Sequence, residues 1–227
     1  MTAEEFYIKF IEKAKEEIRF ETEETGKNYS EFNKKVKSEI CEQLNGKNYL
    51  EIYRNHAKQY TNLVNRIIIP ETIKSLEPDC VIQHEYLRID TVGWIDKKAK
   101  MEKEAKKIGF SLNAHLWDLK IAVEHENNSK DWTDEVIKLV HVKCPLKVVI
   151  GYSPCDERDN EEIEKLKFIA KWMNEVNDFN NAFKEEYLII LGNGKPKRKK
   201  SSDYDKFDYR GYMYDSNRRE FKRITGR

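Results

Sequence analysis

The chain has 227 residues, of which 37% are charged, 39% hydrophobic and 11% aromatic, with a formal net charge of +1. This length and composition support a folded domain with a full core and exclude a disordered chain. No apolar run approaches the ~20 residues that cross a bilayer, and the start of the sequence has acids where a signal peptide has a basic region. A cytoplasmic protein without a membrane partner is therefore expected.

Charge and cysteine placement add two constraints. Residues 195–227 hold 12 Lys and Arg against 5 Asp and Glu, a balance of +7 that leaves −6 on residues 1–194. A basic C-terminal end favours a polyanionic partner even when the total charge is near zero. The cysteines are scattered without a CxxC pair, which predicts buried free thiols rather than a disulfide framework or a zinc ribbon. They are Cys41, Cys80, Cys144 and Cys155.

Apolar residues at helical spacing predict three helices before any strand. The first covers residues 3–22, and the second runs from Ser30 to Gly46. The third begins near residue 47 or 48 and continues to Pro70, where we expect it to end.

From residue 80 onward the pattern alternates between strands and helices. It predicts an extended unit, of one or two antiparallel strands, running through Asp90, and an aromatic hairpin that turns at Arg210–Gly211. The order strand, helix, strand, helix, strand implies parallel pairing, with an antiparallel extension from the earlier strands. The expected fold is a mixed α/β or α+β sheet flanked by helices. The other predicted elements are a helix at 97–108, a strand at 117–126, a helix from 131 or 133, a strand at 146–152, a helix at 159–177 and a strand at 187–191.

The strand at 117–126 is an apolar run that ends in two acids. Alternation along a strand predicts one apolar face and one face that carries Glu124 and Glu126. Asp90 ends the preceding extended unit, so neighbouring strands would bring three carboxylates together. Oxygen-only clusters of this kind suit Mg²⁺ or Mn²⁺. The residues expected on the apolar face are Leu119, Ile121 and Val123, and those on the other are Lys120, Ala122, Glu124 and Glu126.

These residues resemble the motif of the PD-(D/E)xK, or restriction-endonuclease-like, nuclease superfamily. The likeness rests on Arg-Ile-Asp ending at Asp90, Glu-His-Glu at 124–126, and the helix and apolar strand that follow. It spans roughly residues 50–191. The resemblance implies a central mixed sheet, Asp90 and Glu124 as metal ligands, and a lysine two positions beyond the second acid. Glu126 stands in that lysine position, and some restriction endonucleases resemble this Glu-x-Glu variant.

Two lysines are candidates for the missing charge: Lys120, expected on the Glu124 face, and Lys138, on the following helix. Glu126 is then a metal ligand or a group that orients water. The family often adds an acid from the helix before the sheet, for which Glu51 and Glu71 are the candidates.

Each of these residues also has a purely structural interpretation. Glu124 and Glu126 are compatible with a solvated strand end, and Glu135 with Lys138 reads as an i,i+3 surface pair. His125 is expected to face away from the two acids and to pack or hydrogen-bond. Cys144 is close to a histidine in the sequence, but core packing is favoured over zinc binding.

The basic C-terminal run is expected to contact DNA phosphates, with an ordinary solvated loop as the alternative. Its candidate residues are Lys195, Lys197, Arg198, Lys199 and Lys200.

The sequence thus predicts a Mg²⁺- or Mn²⁺-dependent DNA endonuclease, with a non-catalytic nucleic-acid- or protein-binding module as the alternative. A homodimer is a further expectation. Within one structural domain, we expect a helical extension at 1–48, a nuclease-like core at 49–194 and a basic aromatic segment at 195–227.

Overall fold

The structure is a computed structural model that describes residues 1–16, 46–47, 52, 57–110, 117–127, 132–154, 160–176, 185–194 and 209–225. It has an α+β fold with helices on both faces of one seven-stranded mixed sheet, which confirms the predicted fold class. The strands are β1 Val81–Tyr86, β2 Ile89–Asp96, β3 Trp117–His125, β4 Leu146–Pro154, β5 Glu186–Gly194, β6 Tyr209–Asp215 and β7 Glu220–Arg223. The described helices are α1 Ala3–Lys15, α2 Ala57–Leu63, a π-helix Val64–Ile68, α3 Ile69–Leu76, α4 Lys98–Lys107, α5 Trp132–Val140 and α6 Glu161–Glu175.

The strands lie in the sheet in chain order, from β1 to β7. β1, β2 and β3 pair antiparallel, β3, β4 and β5 pair parallel, and β5, β6 and β7 pair antiparallel. The predicted parallel pairing of the three strands separated by helices is therefore confirmed. The sheet places the carboxyl ends of β3, β4 and β5 at one edge.

Alternate residues of β3 enter two different hydrophobic cores. Ile121 and Val123 belong to a core with α1, α2, the π-helix and α3, whereas Ala122 belongs to a core with α5 and α6. The expected alternation therefore holds from residue 121 onward. Each face of the sheet buries its apolar side chains under its own helical layer.

The expected alternation is wrong at Leu119. The β2–β3 register shifts between Gly93, opposite Ile121, and Trp94, opposite Leu119, so β3 carries one extra residue there. A β-bulge of this kind reverses the faces of the residues that precede it. Leu119 accordingly packs with Trp94 in the α5–α6 core.

Two predicted helix ends are also wrong. Helix α1 ends at Lys15 rather than near residue 22. The third predicted helix continues past Pro70 to Leu76. It does so because a π-turn precedes the proline: the Ile69 N–H donates to Val64 O, and Pro70 then falls in the first turn of α3. A proline in a first helical turn loses no required hydrogen bond. The predicted helix from Ser30 lies outside the described residues.

The predicted hairpin turn at Arg210–Gly211 is wrong as well. β6 runs straight through both residues, and the chain turns between Asp215 and Glu220. Gly211 serves a close approach instead of a turn, because a Cβ atom there would lie 2.6 Å from Cδ2 of Tyr7 on α1. The glycine thus lets α1 pack directly on the strand.

Two smaller findings complete the fold. Cys80 and Cys144 are buried free thiols, as expected, while Cys41 and Cys155 lie outside the described residues. None of the helices in the described part of the chain combines the length and the apolar character that a bilayer span needs.

Substituting Gly211→Ala should lower the free energy of unfolding by about 1–3 kcal/mol, because the new methyl group overlaps the Tyr7 ring. Urea denaturation measures this cost. In a Tyr7→Ala background the same substitution should cost much less, since the obstructing ring is gone. An equal cost in the two backgrounds would contradict the assigned contact.

Candidate active site at the β2–β3 edge

Asp90 lies at the start of a strand, not at the end of one as the sequence suggested. The extended unit folds back at Leu87 and Arg88, whose φ angles of 50° and 67° form a tight left-handed turn. Asp90 is therefore the second residue of β2. Because β2 and β3 are antiparallel, the start of β2 lies beside the end of β3, where Thr91 pairs with Val123.

Asp90 and Glu124 are joined by two reciprocal contacts between these strands. The backbone N–H of His125 donates to Asp90 Oδ2 at 2.9 Å, and the backbone N–H of Asp90 donates to Glu124 Oε2 at 3.4 Å. Each acid thus binds the main chain of the strand that carries the other. The predicted neighbourhood of the two carboxylates is present in the fold.

Lys138 on α5 closes the site from the helical side. Its Nζ lies 2.7 Å from Glu124 Oε1 and 2.7 Å from Glu135 Oε2. Both oxygens are buried, and the single ammonium between them offsets part of their negative charge. The Glu124 side chain is only 2% exposed, whereas Lys138 is 36% exposed.

Burial dominates the electrostatics of the site. It raises the pKa of Glu124 to about 8, helped by the charge of Asp90 and opposed by Lys138. Burial also raises the pKa of Asp90. For Lys138, burial acts to lower the pKa, but its contacts with Glu124 and Glu135 outweigh that effect and raise it. Three acids and one ammonium therefore lie close together at a partly buried site.

The opposite face of the β3 end is held by a buried hydrogen-bonded network. His125 Nδ1 lies 2.8 Å from Asn65 Oδ1, and its Nε2 lies 3.0 Å from the Tyr152 hydroxyl, which in turn contacts the Tyr209 hydroxyl at 3.1 Å. Burial lowers the pKa of His125 to about 3, so the imidazole is neutral. The expectation that His125 faces away from the acids is confirmed.

Lys120 does not join Lys138 beside Glu124. Lys120 lies at the β3 bulge, 2.6 Å from Asp118 Oδ2. It precedes Glu124 by four residues, about 13 Å along a strand, so the fold does not bring it to the site. Glu126 is partly buried, and its backbone N–H extends the ladder by donating to Ile150 O at 2.9 Å.

The other predicted site residues lie elsewhere. Glu71 is on α3 and pairs with Lys13 at 3.4 Å, on the far side of the sheet from Glu124. Cys144 is buried, and its thiol donates to Leu146 O at 3.2 Å, so its role is packing. Residues outside the described part of the chain are Glu51, Lys195, Lys197, Arg198, Lys199 and Lys200.

The site includes one residue that the sequence argument set aside. Glu135 and Lys138 do form the expected i,i+3 pair, but the pair turns inward and reaches Glu124. The only signal in the sequence was the Glu-x-x-Lys spacing, which is equally typical of a solvated helix face. How closely α5 approaches β3 decides between these two interpretations.

The donor atoms suit a hard divalent cation. Asp90, Glu124 and Glu135 offer only carboxylate oxygens, the ligands that Mg²⁺ and Mn²⁺ prefer. Within the described residues, no group of three or more His, Cys, Asp or Glu side chains is placed so that it could hold a metal ion as the side chains stand. Lys138 stands between the two glutamates, so a cation would fit there only after the ammonium moves.

Comparisons with known proteins add no family to this geometry: no family model matches the chain, and neither a curated protein nor a solved structure does. The function is therefore inferred from the geometry of the site.

Replacing Glu124 with Gln should change how stability depends on pH. The pKa of Glu124 is about 8 in the folded chain, against an ordinary 4.5. A raised pKa stabilises the fold at low pH, and that stability is lost as the pH rises through the folded value. Relative to Glu124→Gln, the wild-type free energy of unfolding should fall by up to about 1.4 kcal/mol per pH unit between about pH 5 and about pH 8.

Urea titrations of both proteins across this range provide the measurement. Parallel pH profiles for the wild type and Glu124→Gln would contradict the assigned burial of the Glu124 carboxyl.

Proposed function

We propose that this protein is a Mg²⁺- or Mn²⁺-dependent endonuclease that hydrolyses DNA phosphodiester bonds. The observation that carries the proposal is the meeting of Asp90, Glu124 and Lys138 from three different elements. The two acids are cross-bonded between β2 and β3, and the lysine lies 2.7 Å from Glu124. An acid pair on adjacent strands with a nearby lysine is what the PD-(D/E)xK resemblance implies.

Each residue of the site has a distinct role in the proposed reaction. Asp90 and Glu124 hold the cation, and Glu126 acts as a further ligand or orients water. A divalent cation, when bound, polarises a phosphodiester and lowers the pKa of an attacking water. Lys138 supplies positive charge to the phosphate that is being cleaved, in place of the lysine that the family carries at the position of Glu126.

The low solvent exposure of the site strengthens these interactions. Glu124 is 2% exposed, and electrostatic attraction is stronger where water is excluded. A cation must compete with protons for this carboxylate, because its pKa is about 8. The proposed activity should therefore increase with pH up to about that value.

DNA is the proposed substrate because positive charge is concentrated after residue 195. Arg218 and Arg219, in the turn between β6 and β7, are exposed members of that segment. Phosphate contacts by such residues give affinity without sequence readout. A cytoplasmic location and a homodimer belong to the same proposal, and light scattering of the pure protein tests the dimer.

A non-catalytic binding module is the second candidate. The observation that favours it is Lys138 itself, whose ammonium contacts both Glu124 and Glu135 and offsets part of their charge. A site occupied in this way has no need of a cation. This candidate predicts nucleic-acid or protein binding that is sensitive to salt but not to chelators.

Plasmid cleavage with Mg²⁺ or Mn²⁺ tests the catalytic proposal. Asp90→Asn and Glu124→Gln should each reduce the rate by about a hundredfold or more, because each removes a cation ligand. Lys138→Met should reduce it by about a hundredfold, since a charge near the reacting phosphate is lost. Lys120→Met is the matched control and should leave the rate unchanged.

The proposal would be abandoned if the wild type does not cut, or if cutting survives both Asp90→Asn and Glu124→Gln. A larger loss for Lys120→Met than for Lys138→Met would reverse the assignment of the two lysines.

DNA binding with and without EDTA separates the two candidate functions. The nuclease should bind DNA more tightly with Ca²⁺, a cation that rarely supports cleavage in Mg²⁺ sites, than with EDTA. Affinity that is the same in both conditions, together with no turnover in Mg²⁺ or Mn²⁺, favours the binding module.

A further inference from the structure

Two carboxylate oxygens converge on one point in the site. Glu124 Oε1 and Glu135 Oε2 each lie 2.7 Å from Lys138 Nζ. Both are buried and accept no aligned hydrogen bond within the described residues. Buried carboxylate oxygens normally accept such bonds, so these two have lone pairs available for a cation.

We propose that Glu135 is an additional carboxylate ligand of the cation, beside Asp90 and Glu124, and that the Lys138 ammonium occupies the cation position until the ion displaces it. This inference rests on the proposed function, and it adds a ligand from the helix that follows β3. It also gives Lys138 two successive positions: between the glutamates without the ion, and at the phosphate with it.

The position of α5 makes Glu135 suitable for this role. Trp132, Val136 and Leu139 are buried and fix the helix against the sheet. At Gly151 of β4, an added Cβ atom would lie 2.6 Å from Trp132 Cβ, so the helix approaches this strand as closely as a glycine permits. The helix therefore holds Glu135 beside the end of β3.

Lys138 is the member of the group that can move. Its side chain is 36% exposed, whereas Glu124 is 2% exposed and Glu135 is 23% exposed. A lysine has a long flexible stem and can keep its head in water while its methylenes stay packed. The ammonium is therefore the group of the site that can leave its contacts for solvent most easily.

The charge balance favours a divalent ion in that position. Burial raises the pKa values of Asp90 and Glu124, and the nearby acids add to the effect: Glu85 and Glu135 for Asp90, and Asp90 and Glu135 for Glu124, with Lys138 opposing both. A divalent cation offsets this negative charge better than a lysine does. Three carboxylates without a sulfur or imidazole donor favour Mg²⁺ or Mn²⁺ over Zn²⁺.

Mn²⁺ binding to the purified protein, measured by calorimetry without DNA, tests the assignment. Glu135→Gln should raise the Kd for Mn²⁺ at least about tenfold above the wild-type value. Even residues that only hydrogen-bond to metal ligands contribute about that much to affinity. Asp134→Asn is the matched control, because Asp134 is the adjacent acid on α5 and is exposed. It should leave the Kd unchanged. Circular dichroism melts verify that each variant is folded.

The outcomes separate this inference from the proposed function. If the wild type does not bind Mn²⁺, the proposed nuclease site and the role of Glu135 both fail. If Glu124→Gln weakens binding but Glu135→Gln matches the wild type, only the role of Glu135 is overturned. An equal loss in Glu135→Gln and Asp134→Asn also overturns it, because the effect would then reflect general surface charge.

Displacement of Lys138 has its own readout. Acetylation by a small amine-reactive reagent, followed by mass spectrometry, should modify Lys138 faster with saturating Mn²⁺ than with EDTA. Lys167 on α6, which is 68% exposed, serves as the internal reference and should react equally in both conditions. Slower or unchanged modification of Lys138 in the Mn²⁺-bound protein would show that the ion does not displace the ammonium.

Discussion

The hydrogen bonds between Asp90 and the end of β3 are the contacts on which the candidate site depends. They fix the register of two antiparallel strands at the point where Glu124 enters the α5–α6 side of the sheet. The tight turn at Leu87 and Arg88 makes this register possible by returning the chain immediately before Asp90. Without that turn, the two acids would lie at opposite ends of their strands.

The two faces of the β3 end have different tasks. On one side, His125 and Tyr152 form a buried and neutral network that holds the strand. On the other, Glu124 meets Lys138 in a site with unbalanced charge. Such charged groups are costly to bury, and proteins retain them mainly where they serve binding or catalysis. A buried hydrogen-bonded network behind a charged site is an arrangement that suits the positioning of reactive groups.

Sequence patterns predicted much of this fold, because hydrophobic periodicity reports which face of an element is buried. The parallel pairing of the central strands followed from that pattern, whereas the approach of Asp90 to Glu124 was expected only if their two strands were neighbours. The β-bulge at Lys120 could not be predicted, since a bulge depends on the partner strand and the apolar alternation of Leu119, Ile121 and Val123 gives no sign of it. Gly211 was predicted to lie in a turn because the true reason for the glycine, the close approach of the Tyr7 ring, involves a residue about 200 positions away in sequence. The role of Glu135 could not be predicted, because it depends on how closely α5 approaches β3, and no local sequence pattern contains that distance.

The most direct measurement of the central claim is anomalous diffraction from crystals of the protein soaked in Mn²⁺. We expect an anomalous peak between the carboxylates of Asp90, Glu124 and Glu135, with the Lys138 ammonium moved out of its present contacts. Crystals that show no peak there, and that keep Lys138 between the two glutamates at high Mn²⁺, would contradict the account and leave the site as a buried structural ion pair.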